Sequence, residues 1–197
     1  RLSYKKIDYT GQRVLIRVDF NVPQDPSKIT NTARIDAALP TIKYALDKGA
    51  KSVVLMSHLG RPSGIGLEEK FSMKPVFEVL KTKLEAPVLF ASGEMCADPA
   101  PGTVILLENL RMNIEETGKG EKDDKKIKAD AAKVKKFKAH LRQLADVYIN
   151  DAFGTAHRGH ASMLGEGFAV RAAGSLMFKE LDAFAKVIDV PARPVLA

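Results

Sequence analysis

Tryptophan is absent from the 197 residues and tyrosine occurs only 4 times. The aromatic platform that single-stranded nucleic acid stacks upon is therefore missing. No apolar run approaches the roughly 18 residues of a membrane span. The longest, Thr103-Val104-Ile105-Leu106-Leu107, is strand-sized. The single cysteine, Cys96, excludes an internal disulfide framework and fits a reducing compartment, so a cytoplasmic location is expected. Cys96 itself reads as a small packed or half-exposed thiol. Arg1 to Gln12 is polar and holds no apolar signal core. Because the chain opens on Arg1 and stops as an apolar segment, Pro191 to Ala197, begins, its ends are expected to be cuts in a longer protein.

With 45% hydrophobic and 28% charged residues, disorder and collagen-like order are excluded. At about 150 residues per domain the length allows one large domain, or one with an appendage. The formal net charge is +7, which invites an anionic partner. Location weakens that invitation. Between Lys119 and Lys138 nine lysines face four carboxylates, which places +5 of the total there. In the same stretch Ile127, Ala131, Val134, Phe137, Leu141 and Leu144 recur at steps of three and four. That spacing predicts one helix over about Asp124 to Leu144 with a buried stripe and a solvated lysine face. Nucleic-acid or anionic-surface binding through Lys119–Lys138 is the alternative reading.

Short β-branched runs alternate with helical stretches. Strands are predicted at Arg13 to Val18, Ser52 to Met56, Val88 to Phe90, Thr103 to Leu107 and Val147 to Ile149. Helices are predicted at Ala33 to Lys48, with Pro40 disturbing its first turn, at Met73 to Leu84 behind a Ser72 cap, and at Phe178 to Ile188. One helical turn is expected within Gly93 to Asp98. Apolar strands separated by helices imply an α/β fold: a doubly wound, Rossmann-like parallel sheet with helices on both faces. Such sheets bind ligands at the carboxyl ends of their strands.

The residues just past each strand are a biased set. They are Asp19, Asn21 and Arg34; then His58 and Arg61; then Asn109 and Arg111; then Asn150, Asp151, Thr155, His157, Arg158 and His160. Taken singly, Asp19, Asn109 or Asp151 is more often a turn or cap residue than a ligand. Taken together, four arginines on one rim need an anion or carboxylates between them. The planar guanidinium matches a phosphate or carboxylate at two points, so the rim suits a small, multiply charged anion carrying a hydroxyl. No metal site is expected, because nothing at suitable spacing completes His157 and His160. Gly118-Lys119-Gly120 and Gly64-Ile65-Gly66 lack the spacing of nucleotide loops.

Four segments carry a resemblance: Arg17-Val18-Asp19-Phe20-Asn21-Val22-Pro23, Ser57-His58-Leu59-Gly60-Arg61-Pro62, Leu107-Glu108-Asn109-Leu110-Arg111, and Asn150-Asp151-Ala152-Phe153-Gly154-Thr155-Ala156-His157-Arg158. In this order they closely resemble the phosphoglycerate kinases, from about Gly11 to Ala197, and correspond to the N-terminal domain of that two-domain, glycolytic enzyme. The resemblance implies reversible phosphoryl transfer between 1,3-bisphosphoglycerate and ADP, giving 3-phosphoglycerate and ATP with Mg²⁺. It implies that Asp19 and Asn21 meet the hydroxyl and carboxyl end of the substrate. His58, Arg61, Arg111 and Arg158 would hold its non-transferred phosphate. Arg34 would face the reacting carboxyl and act catalytically after domain closure.

On this reading residues 1–177 form the phosphoglycerate-binding domain and 178–197 the interdomain helix and the start of a nucleotide-binding domain. ADP, ATP and Mg²⁺ would bind mainly to that second domain, absent from this chain, so the chain alone is expected to be inactive and monomeric. In the family the extreme C-terminus folds back on this domain, so some apolar surface is expected to be exposed. Met112-Asn113 and Ala173 to Lys179 depart from the family's usual Phe-His and hinge patterns.

Overall fold

Strand-length apolar runs with no polar interruption are stable only in a sheet covered on both faces. The computed structural model describes residues 2–26, 28–91 and 99–189. Along the chain come β1 (Arg13–Arg17), α1 (Ala33–Asp47), β2 (Ser52–Met56), α2 (Lys74–Lys83), β3 (Val88–Ala91), β4 (Thr103–Leu107), α3 (Ile114–Thr117), β5 (Lys119–Lys122), β6 (Lys125–Lys128), α4 (Ala131–Gln143), β7 (Val147–Asn150), β8 (Val170–Ala173) and α5 (Ser175–Asp189). Six strands form one sheet in the order β3–β4–β2–β1–β7–β8, and every neighbouring pair is parallel. This is the expected Rossmann-like α/β sheet. The chain leaves β1 on the β2 side and returns to its other side at β7, so the carboxyl end of β1 is the topological switch point.

The strand period of two sorts the core into two layers. Val14, Ile16, Val53, Leu55, Val104, Leu106 and Ile149 pack with Ile35, Ile42, Val76 and Leu80 of α1 and α2. Leu15, Val54, Ile105 and Tyr148 pack on the opposite face with Leu141 of α4, Leu144 and Phe168. Each fully buried side chain of this size contributes about 1.5–3 kcal/mol. The same alternation puts Arg17 on the Leu15 face, where it is wholly buried.

Several expectations need correction. The lysine-rich helix is shorter than predicted, because Lys119–Lys122 and Lys125–Lys128 pair as an antiparallel hairpin. Asp123 and Asp124 turn it with φ of 50° and 58°, the left-handed pair that a two-residue hairpin loop requires. Only after Asp130, whose carboxylate accepts from Lys133 N at 3.0 Å, does α4 begin. Ile127 therefore lies opposite Gly120 in the hairpin rather than on the helix stripe. Pro40 does not break α1, which runs through it from Ala33 to Asp47. At α2 the cap residue is Met73; its N–H donates to Glu108 at 2.7 Å, while Ser72 Oγ accepts from Lys74 N at 3.2 Å. The strand β8 was missed, since Val-Arg-Ala-Ala at a sheet edge carries little pattern. Cys96, the turn expected over 93–98 and the segment 191–197 lie outside the described residues.

The helix α5 begins three residues earlier than the periodicity predicts, because a distant carboxylate caps it. Asp151, buried at the end of β7, accepts from Leu176 N at 2.9 Å and Met177 N at 3.2 Å, and from Thr41 Oγ1 at 2.8 Å. It is a structural cap, not a rim ligand. Gly174 lies so close that an added Cβ would sit 2.4 Å from the Asp151 carboxylate. Gly174→Ala is therefore expected to destabilise the fold by about 1–3 kcal/mol, the usual cost of overpacking, measured by urea unfolding. An unchanged midpoint would show that this contact is soft.

Candidate functional site

The loops leaving β1, β2 and β4 are stitched together by neutral side chains. Asn109 is fully buried. Its Oδ1 accepts from Leu59 N at 3.2 Å and Arg111 N at 3.1 Å, and its Nδ2 donates to Leu59 O at 2.7 Å and Phe71 O at 2.9 Å. Ser57 Oγ accepts from Phe20 N at 2.9 Å. Asn21 Oδ1 accepts from Gly60 N at 2.8 Å, and Gly60 O accepts from Arg111 Nη1 at 3.2 Å. Gly60 has φ +60°, and a Cβ there would meet the Phe71 ring at 2.5 Å, so only glycine lets these loops close.

The residues singled out in the sequence gather at this edge in two groups. In the first, Arg34 Nη1 donates to both oxygens of Asp19 at 3.0 Å, and Asn21 N donates to Asp19 Oδ1 at 3.1 Å. In the second, Arg61, Arg111 and Arg158 line a cavity of about 560 Å³ with Thr117, Lys119, His157 and His160. His58 is buried and lies within electrostatic reach of Arg17, Arg111, His160 and Arg34.

Electrostatics mark the second group as short of negative charge. Burial, then the neighbouring Arg158, Arg17 and Arg61, lower the pKa of Arg111, with Glu116 alone opposing. Burial and the arginines Arg111, Arg158 and Arg17 push His160 down to about 4. Burial, then Arg17, Arg111, His160 and Arg34, push His58 down to about 2. Arg111 Nε and His160 Nδ1 are buried and meet no protein partner. A buried polar atom without a partner costs about 1–3 kcal/mol. Arg111 and His160 both line the cavity with Arg61, Arg158 and Lys119, and a concave surface so short of negative charge is suited to an oxyanion.

Beneath the cavity lies a polar network that sequence reasoning missed. Arg17 Nε donates to Ser162 Oγ at 2.8 Å, and Ser162 donates from Oγ and N to Glu116 at 2.5 and 3.1 Å. Glu116 is nearly fully buried, and desolvation raises its pKa against the pull of Arg17. The signal that could have found Arg17 is a charge inside an apolar strand. Nothing local points to Ser162 or Glu116. No group of three or more His, Cys, Asp or Glu is placed to hold a metal ion among the described residues, and none of their helices is long and apolar enough to cross a membrane.

A family model described as phosphoglycerate kinase matches residues 4–197. The phosphoglycerate kinase of Gallus gallus is 57% identical over 205 residues, covering 100% of this chain and 49% of that protein. Phosphoglycerate kinase 2 of Homo sapiens is 54% identical with the same coverage. Among solved structures, phosphoglycerate kinase from Coxiella burnetii superposes with a TM-score of 0.81 at 34% identity, covering 98% of this chain and 46% of that one. The enzyme from Pyrococcus horikoshii gives 0.77 at 27% identity, covering 98% and 47%. The chain thus spans about half the length of the curated relatives it matches.

The histidine shifts predict how stability depends on pH. Unfolded, both imidazoles protonate near 6.5; folded, they resist until about 4 for His160 and about 2 for His58. Below about pH 6.5 the unfolded chain therefore binds more protons, so stability is full above that pH and is lost as pH falls. Urea unfolding free energy is expected to decline from about pH 7 to about pH 5, less steeply in His58→Gln. A flat profile would contradict the burial of these rings as neutral groups.

Proposed function

Because the chain belongs to the phosphoglycerate kinase family, we propose that its cationic rim is the 3-phosphoglycerate-binding half of an enzyme interconverting 1,3-bisphosphoglycerate and ADP with 3-phosphoglycerate and ATP. The observation that carries this reading is the cavity lined by Arg61, Arg111, Arg158, Lys119 and His160. A phosphate brings negative charge and several acceptors to one point, and each charge-assisted bond contributes about 1.5–3 kcal/mol.

The remaining residues divide the substrate between them. His58, Arg61, Arg111 and Arg158 hold the phosphate that is not transferred. Asn21 has its Oδ1 occupied by Gly60, which leaves its Nδ2 to donate to the acid, while Asp19 accepts from the hydroxyl. Arg34 engages Asp19 through Nη1 alone, so Nη2 and Nε are left for the reacting carboxyl and for charge developing on the transferring phosphoryl. These are positioning and electrostatic roles, as phosphoryl transfer demands. No covalent intermediate on this chain is needed.

The nucleotide and Mg²⁺ fit poorly here: the chain has no nucleotide loop, and its described carboxylates form no metal cluster. We assign their binding to a second domain, reached through residues 178–197, and residues 1–177 to substrate binding. Alone, the chain binds 3-phosphoglycerate as a monomer and does not turn over; in the cell the whole enzyme works in the cytoplasm.

Calorimetric titration with 3-phosphoglycerate tests the proposal. Arg61→Ala is expected to weaken binding roughly tenfold or more, whereas Lys133→Ala on the exposed face of α4 changes it by less than about twofold. Equal effects, or no binding heat from the folded chain, would overturn it.

A further inference from the structure

The deepest polar group at the switch point is one the substrate does not need to touch. Arg17 ends β1 with its side chain fully buried, and each arm is used. Nε donates to Ser162 Oγ at 2.8 Å, Nη1 donates to the Val18 carbonyl, and Nη2 lies 3.1 Å from His58 Nδ1. Ser162 is itself fixed by Glu116, which accepts from its hydroxyl and its N–H. The guanidinium is therefore held from three sides, with a carboxylate behind it to balance its charge. Its third arm is aimed at one ring nitrogen.

We infer that Arg17 is a positioning residue: it fixes His58 as the Nε2–H tautomer and so makes this ring a hydrogen-bond donor, never an acceptor, toward the anion site. A guanidinium carries only N–H groups and no acceptor. The atom it faces must present a lone pair, so Nδ1 is unprotonated and the ring's single proton sits on Nε2. An imidazolium would set an N–H against an N–H. The other charged or titratable groups acting on the ring are Arg111, His160 and Arg34, and none of them favours a second proton. No hydrogen bond to another described protein group uses Nε2. The neutral ring presents a fixed donor, which suits an ionised oxygen, an acceptor only, and disfavours an N–H or ammonium group set against it.

This inference rests on the phosphoglycerate reading only for its consequence in binding; the tautomer belongs to the unliganded chain. Long-range ¹H–¹⁵N correlation spectra of the ¹⁵N-labelled chain at neutral pH are expected to show His58 with a protonated Nε2 and a bare Nδ1. An Nδ1–H ring or an imidazolium would overturn the inference. In Arg17→Gln, whose amide can offer donor or acceptor, the Nδ1–H form is expected to become populated; a folded variant with an unchanged tautomer also overturns it.

If that variant does not fold, a pair at position 58 decides. Glutamine sets its amide near the place of Nε2, and asparagine near that of Nδ1. With 3-phosphoglycerate as probe, His58→Gln is expected to bind within about fivefold of the parent and His58→Asn about tenfold more weakly than His58→Gln. Equal losses would contradict a donor at Nε2. A parent chain that shows the expected tautomer but binds no 3-phosphoglycerate would sink the substrate reading and leave this one standing. Binding with an Nδ1–H ring would do the reverse.

Discussion

Like charge crowded at the carboxyl edge of a parallel sheet is the condition that the rest of this structure answers. Arg17, Arg61 and Arg158 all bear on Arg111 there, and Glu116 opposes them. Such an arrangement opposes folding. It persists because the sheet beneath is continuous and apolar on both faces, and because the loops after β1, β2 and β4 are tied together by uncharged groups. Local disagreement between stability and sequence logic is where function concentrates.

The ties follow a common plan. Asn109 takes four bonds inside the protein, and Asn21 joins the loop after β1 to the loop after β2. Neither adds charge to a rim that already has too much. Gly60 and Gly174 leave out side chains where Phe71 and Asp151 must come close. At Asp151 the arrangement reaches beyond the rim. One carboxylate joins the end of β7, the middle of α1 and the first turn of α5. Since α1 carries Arg34 and the chain after Asp151 carries Arg158, the elements that bear these candidate site residues share an anchor with the helix that follows them.

The sheet was legible in the sequence because its strands are unbroken apolar runs, and the rim because a parallel sheet turns strand ends into neighbours. Hence residues as distant as Asp19 and Arg158 could be placed on one edge from spacing alone. The hairpin was not legible. Ile127 sits at helical spacing from Ala131 and Val134, and the turn uses Asp123-Asp124 rather than an Asn-Gly pair, so the local pattern favoured a helix. Nor was the Arg17–Ser162–Glu116 network visible. Its members are separated by up to 145 positions, and neither a serine in a loop nor a glutamate in the one-turn helix α3 carries a mark of burial. Pattern reports which face a residue occupies, not which distant partner completes it.

The central claim is that this edge is a cage for one phosphate, and a crystal structure of the chain soaked with 3-phosphoglycerate tests it directly. The account predicts phosphate density among Arg61, Arg111, Arg158 and His58. Ordered ligand on the lysine face of α4 and the hairpin, with the arginine-lined cavity empty, would contradict it.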